Sequence, residues 1–187
     1  MKRIKQISPL RLIVLGFAFV ILIGAIVLWL PFSANDGVEV SFIDALFTST
    51  SAVCVTGLIA VDTADTFNGI GRFVVALLIQ IGGLGVTSVG VGFMILANKK
   101  IGVKGRVLVK EALNLNSIKG AVSLVKSILL MTLCFEVVGV FLSFLVFSRD
   151  YAPLRALEIS VFHSIAAFNN SGFDILGGLQ NLIPYQD

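Results

Sequence analysis

Three long apolar segments restrict this chain to folds that a lipid bilayer accepts. They cover residues 10–30, 73–97 and 121–147, and each reaches the roughly 20 apolar residues that a transmembrane helix needs. Charged residues make up only 13% of the chain, which is about half of their share in soluble domains. The sequence therefore predicts an all-α integral membrane protein that contacts the lipid bilayer.

The basic residues are concentrated on one side of the predicted spans. Because loops rich in Lys and Arg stay in the cytoplasm, we expect a cytoplasmic N-terminus and a basic cytoplasmic linker at residues 98–119. Membrane topology explains this charge, so we expect no binding of nucleic acid. The basic residues expected on the cytoplasmic side are Lys2, Arg3, Lys5, Arg11, Lys99, Lys100, Lys104, Arg106, Lys110, Lys119 and Lys126.

A short motif occurs twice, each time between or after apolar segments. Residues 47–58 are FTSTSAVCVTGL and residues 162–173 are FHSIAAFNNSGF. An internal repeat indicates that the fold is built from repeated units. The aligned identities are Phe47 with Phe162, Ser49 with Ser164, Ala52 with Ala167 and Gly57 with Gly172.

Each copy predicts a short helix followed by an extended turn. Residues 42–53 and 157–168 suit the helices, and each turn reaches a glycine, Gly57 or Gly172. Non-helical backbone at membrane depth is tolerated where it is buried in protein or lines a water-filled cavity. Its carbonyl oxygens can replace the hydration shell of a cation. The repeat therefore favours an ion pathway over a loop that only packs helices together.

A second string, TSVGVG at residues 87–92, also looks like a potassium filter. It lies near the end of the second apolar segment, close to Lys99 and Lys100, and no short helix precedes it. Gly82, Gly83 and Gly85 with this string instead suit close helix packing, as small-x-x-x-small patterns do. We therefore reject residues 88–92 as a filter.

Three stretches resemble one family. They are FTSTSAVCVTGLIAVDT, IQIGGLGVTSVG and FHSIAAFNNSGFD, and they are similar to membrane subunits of the Trk/Ktr/HKT superfamily of potassium transporters, most closely the bacterial Ktr B-type subunit. The resemblance implies four M1–P–M2 units around one ion pathway, each unit having two spanning helices around a re-entrant pore helix and filter. It also implies a homodimer in the bacterial plasma membrane, regulated by a cytosolic ring of nucleotide-binding subunits.

The resemblance also assigns the ion-binding residues. They would bind K⁺ through backbone carbonyls, and a glycine at both key positions fits potassium-selective members. Two filter strands alone cannot surround an ion, so either two copies of the chain pair or, as we expect, this is a fragment of a longer chain in which two further copies of the motif follow. The implied filter residues are Cys54, Val55, Thr56, Gly57 and Leu58 in the first copy, and Asn169, Asn170, Ser171, Gly172 and Phe173 in the second.

About one and a half of the four expected units are present, because the second M2 helix is absent. A basic linker at 98–119 separates the two units. The expected boundaries are 1–97 for the first unit, with M1 at 10–31, pore helix and filter at 42–58 and M2 at 71–97, and 120–187 for the second, with M1 at 120–148 and pore helix and filter at 157–173.

Several polar residues have both a functional and a structural interpretation. Glu136 lies within a span and would attract cations or pair with a pore-loop amide, or its carboxyl fixes one helix against another, with Gln80 as a candidate partner. His163 would sense pH, or pack in the second short helix. The acidic residues that follow the filters would concentrate cations at the mouth, or only solvate it; they are Asp62, Asp65 and Asp174.

The composition excludes most other functions. No Gly-rich phosphate loop, nucleophile–base arrangement or metal-ligand spacing occurs, so we expect neither an enzyme nor a covalently bound cofactor. Cys54 and Cys134 are the only cysteines, and their positions do not suggest a disulfide. We predict potassium uptake, with K⁺ as the transported ion and Na⁺ as a candidate coupling ion. The alternatives are a non-conducting structural or regulatory membrane subunit and a transporter of organic solutes.

Overall fold

The computed structural model describes residues 8–97 and 99–185, and this part of the chain is helical without a β-strand. Two 3₁₀ turns, Pro31–Ser33 and Ile183–Tyr185, complete the architecture. The predicted all-α membrane class is confirmed. In chain order the α-helices are α1 Pro9–Trp29, α2 Phe42–Cys54, α3 Thr63–Thr66, α4 Gly69–Leu84, α5 Val86–Leu96, α6 Val103–Ala112, α7 Ala121–Phe147 and α8 Pro153–Phe168.

Helices α1 and α7 are each long and apolar enough to cross a bilayer. They contain 21 and 27 residues, with mean hydropathies of 3.0 and 2.4 over their most apolar windows. Large apolar side chains such as Phe19 and Phe141 remain exposed on them, at 64% and 63%. Such surfaces suit contact with lipid, where apolar exposure carries no penalty.

The second apolar segment, at residues 73–97, was predicted as one spanning helix but is bent. It forms α4 and α5, whose axes differ by 102° across a break at one residue. That residue is Gly85, with φ of 79°, and its N–H donates to the carbonyl of Gly82. A positive φ is readily adopted by glycine and ends a helix, so Gly85 permits the bend.

The predicted linker at 98–119 contains helix α6. Its Val109 is fully buried and packs with Val91 of α5 and with Ala121 and Val125 of α7. The segment is therefore a small packed layer rather than a plain connection. It contacts the α1 helix as well.

The main core lies where the two short helices meet the longer ones. Helix α2 packs between α1 and α4, while α8 packs on α7 and α4. Phe67, Ile79 and Ile159 are almost completely buried in this core. Helix α4 thus contacts both short helices.

Candidate ion-pathway site

Helices α2 and α8 end in the same backbone motif. In α2, the N–H groups of Val55 and Thr56 donate to the carbonyls of Ala52 and Ser51, at 3.2 and 3.0 Å. This pair of bonds, with a left-handed residue between them, is the Schellman motif. The residue in that conformation is Val55, with φ of 55°.

The second copy repeats these bonds at the aligned positions. Asn170 and Ser171 donate to the carbonyls of Ala167 and Ala166, at 3.0 and 2.8 Å. Asn170 has φ of 53°, which matches Val55. Each helix therefore points its C-terminal carbonyls, the negative end of its dipole, towards the residues that follow. We call residues 54–58 the first turn and residues 169–173 the second turn.

The two turns are in direct contact at their glycines. Gly57 and Gly172 have φ of 69° and 73°. A Cβ built on Gly57 would lie 2.5 Å from the carbonyl oxygen of Ser171 and 3.0 Å from the Cα of Gly172. Two main chains that approach this closely leave no room for a side chain. The structure thus brings together the two segments that the repeat singled out.

The predicted site residues differ in their burial. In the first turn Cys54, Thr56 and Leu58 are exposed, whereas in the second turn Ser171 and Phe173 are buried. The hydroxyl groups of Thr56 and Ser51 lie 2.9 Å apart and share a hydrogen bond. The second turn is therefore the more enclosed of the two in the described part of the chain.

A cavity of about 270 Å³ lies beside the paired glycines and is lined by Gly57, Gly172, Asp62 and Asp174 among others. The Asp62 carboxylate also caps α3 by accepting from the N–H groups of Ala64 and Asp65. Burial raises the pKa of Asp174 above its ordinary value, although the Leu176 amide that donates to its carboxylate opposes the shift. Two acidic residues thus line the cavity beside the paired glycines.

Two of the polar residues predicted within the membrane, Gln80 and Glu136, lie near Asn169 at the start of the second turn. The Asn169 amide donates to the side-chain oxygen of Gln80, at 2.9 Å. Gln80 also approaches the Glu136 carboxyl, of which Oε1 is buried without a hydrogen-bond partner among the described residues. Gln80 thus lies between the Asn169 amide and the Glu136 carboxyl. His163 makes an edge-to-face contact with Phe147, with ring centres 5.6 Å apart.

The TSVGVG string lies within α5 apart from the bend that precedes it. Residues 87–92 are helical, and Ser88 is buried. A Cβ on Gly92 would lie 2.7 Å from the side chain of Leu129 on α7. This string packs helices together, as the sequence analysis expected.

Sequence analysis missed a pair of anchors for the short helices. The Ser49 hydroxyl donates to the Ile21 carbonyl on α1 at 2.7 Å, and the Ser164 hydroxyl donates to the Glu136 carbonyl on α7 at 2.8 Å. All four positions obey the offset that aligns Phe47 with Phe162. Extending the repeat alignment backwards into α1 and α7 would have revealed these two serine–carbonyl pairs.

The same offset relates Gly24 of α1 to Gly139 of α7. A Cβ at Gly24 would lie 2.5 Å from Ser49 Oγ, and one at Gly139 would overlap Ser164 Oγ. Glycine thus lets each short helix approach its long helix closely enough for the serine to reach a carbonyl. The repeated unit therefore includes the long helix, the short helix and the turn.

Replacing Ser49 or Ser164 by alanine is expected to lower the free energy of unfolding by about 0.6 kcal/mol each, the average for interhelical hydrogen bonds in membranes. The matched control is Thr50→Ala, since within the described residues the Thr50 hydroxyl bonds only to the Leu46 carbonyl of its own helix. Thermal denaturation of the detergent-solubilised protein would measure this. Equal midpoints for all three variants would contradict the anchoring role.

These features define a class: an all-helical integral membrane protein built on a repeated unit of long helix, short helix and glycine-containing turn. The chain belongs to the TrkH family of cation transport proteins, whose family model matches residues 6–186.

Individual relatives support this membership. The chain is 42% identical over 173 residues to the potassium/sodium uptake protein NtpJ of Enterococcus hirae, which covers 92% of this chain and 38% of that protein. It is 41% identical over 180 residues to the Ktr system potassium uptake protein B of Bacillus subtilis, which covers 96% of this chain and 40% of that protein. The chain thus spans about two fifths of the length of these relatives.

Proposed function

We propose that this chain contributes two filter strands to a pathway for K⁺ uptake. The carbonyl oxygens of residues 54–58 and 169–173 would replace part of the ion's hydration shell. The observation that carries the proposal is the contact between Gly57 and Gly172 at the ends of two short helices with matching Schellman motifs. The negative ends of both helix dipoles favour a cation at that place.

The names of the relatives support the choice of ion. One is a potassium/sodium uptake protein and another a potassium uptake protein. We propose K⁺ as the transported ion, taken up passively or with Na⁺ as a candidate coupling ion. The carboxyl groups of Asp62 and Asp174 beside the cavity would raise the local concentration of either cation.

The proposed assembly follows from the family resemblance. Two further units would complete the ring of four filter strands, and the full-length subunit would form a homodimer. A relative bears the name of a Ktr system component, which supports a regulatory partner; we propose the cytosolic nucleotide-binding ring. The basic residues of the chain favour a cytoplasmic N-terminus in the bacterial plasma membrane.

Flux measurements on the full-length protein in proteoliposomes test this proposal. We expect uptake of K⁺, or of its analogue Rb⁺, down a concentration gradient. When Na⁺ is supplied without K⁺, we expect its uptake to be slower than that of K⁺. Empty liposomes processed in parallel give the background. If purified, correctly folded protein moves neither ion with or without a regulatory subunit, the non-conducting membrane subunit becomes the better explanation.

A further inference from the structure

Glu158 on α8 joins two arginines from different parts of the chain. Its Oε1 accepts from Nε of Arg72 on α4, and its Oε2 accepts from Nη1 of Arg155, both at 2.6 Å. The side chains are only 16–33% exposed. A charge-assisted bond of this length in a partly dry environment is strong and directional. Glu158 therefore fixes both guanidinium groups.

Each arginine also binds the main chain that follows one of the turns. Nη2 of Arg155 donates to the Ile175 carbonyl at 2.7 Å, just after the second turn. Nη1 of Arg72 donates to the Ala64 carbonyl at 3.4 Å, after the first turn. A continuous bridge thus runs from the backbone of Ala64 to that of Ile175 through three charged side chains.

Two carboxylates connect the same segments farther out. Asp65 Oδ2 accepts from the Gly178 N–H at 3.0 Å, and Asp62 Oδ2 accepts from the Leu179 N–H at 2.8 Å. The backbone after the second turn is therefore held to the first unit along its length. These bonds assign Asp62 and Asp65 a structural task in addition to any effect on cations.

The bridge belongs to the second copy alone. At the positions aligned with Arg155 and Glu158, the first copy has Val40 and Ile43. Ile43 is 76% exposed. A short helix of this type therefore forms without the charged pair, as α2 does. Formation of the short helix therefore does not explain why α8 has this charged pair.

We propose that Glu158 is a positioning residue for ion selection: through Arg155 it fixes the backbone around Ile175 and so sets where the carbonyls of the second turn lie. The proposal rests on the proposed filter function. Selection by main-chain oxygens depends on the number and placement of the dipoles around the ion. A loosened Ile175 carbonyl would let the second turn adjust to a smaller ion.

The test compares K⁺ and Na⁺ fluxes of full-length Glu158→Gln protein in proteoliposomes. We expect the preference for K⁺ over Na⁺ to fall about fivefold or more, because the amide cannot hold two guanidinium groups. Glu39→Gln is the matched control: Glu39 is exposed just before α2 and takes part in no ion pair among the described residues. We expect its preference to remain that of the parent protein.

A double-mutant cycle separates the bridge from a general loss of stability. Arg155→Gln removes the donor to Ile175, and Arg155→Gln with Glu158→Gln should be no less selective than either single variant, since both act through one chain of contacts. Additive losses would overturn the proposal. So would an unchanged ratio, including one in which both fluxes fall equally.

If Glu158→Gln folds poorly, a milder variant still tests the proposal. Arg155→Lys keeps the charge but offers one donor group to two acceptors, and we expect a smaller fall in the same ratio; an unchanged ratio overturns the proposal. Failure of the proposed function looks different, because the parent protein itself would then fail to move K⁺ or to prefer it over Na⁺.

Discussion

In a Gly57→Ser variant of the full-length protein, we expect the ratio of K⁺ to Na⁺ flux to fall at least about tenfold. This corresponds to about 1.4 kcal/mol of discrimination between the two ions. Gly57 has φ of 69°, a conformation that costs other residues about 1–2 kcal/mol. The added Cβ would also lie 2.5 Å from the Ser171 carbonyl oxygen. Because that neighbour is main chain, the second turn itself has to move.

Gly37→Ser is the control for backbone strain. Gly37 has φ of 78°, and a Cβ added there would have nothing within 4 Å, so serine costs the same conformational energy without touching either turn. We expect its ratio of K⁺ to Na⁺ flux to equal that of the parent protein. A Gly57→Ser protein that keeps its ion preference would show that the paired turns are not the filter.

The contact between the two turns was predictable because the sequence contains the motif twice. One copy of FTSTSAVCVTGL is compatible with a packing loop. Two copies that share Ser, Ala and Gly at aligned positions indicate two equivalent units, and equivalent units place their turns around a common axis. The structure agrees where the repeat applies: Val55 and Asn170 have nearly equal φ values of 55° and 53°.

The bend at Gly85 was not predictable from local sequence. Gly82, Gly83 and Gly85 suit both close packing and a helix break, and hydropathy is the same for a straight or a bent segment. Tertiary contacts decide: Gly82 packs on Val53 and Gly83 on Asn169, which holds α4 against the end of α2 and the start of the second turn. Of these three glycines, only Gly85 takes a positive φ, and it has no neighbour within 4 Å of its Cβ position.

The charged bridge was also not predictable from the sequence, because its partners are distant along the chain. Arg72 and Glu158 lie 86 positions apart, and no periodic pattern connects them. Their pairing depends on how α4 crosses α8, which the hydrophobic pattern leaves undetermined. The hydrogen bond between Gln80 and Asn169 likewise joins residues 89 positions apart, and it was not predicted either.

Gly82→Ala is expected to destabilise the folded protein by several kcal/mol, although alanine favours an isolated helix by about 1 kcal/mol over glycine. The Cβ would overlap the Val53 carbonyl oxygen and would lie 2.7 Å from the carbonyl carbon and 2.9 Å from the Cα. All three atoms are main chain just before the first turn, so rotation of a side chain cannot relieve the overlap. Helices α2 and α4 have to separate.

Gly90→Ala provides the matched control, because Gly90 also lies within a helix and has nothing within 4 Å of its Cβ position. We expect Gly90→Ala to leave the thermal denaturation midpoint unchanged or to raise it, and Gly82→Ala to lower it by more than about 5 °C. Size-exclusion chromatography after heating in detergent gives both midpoints. Equal midpoints would mean that α4 does not support the first turn by backbone contact, and the second turn would then depend on Gln80 and the charged bridge alone.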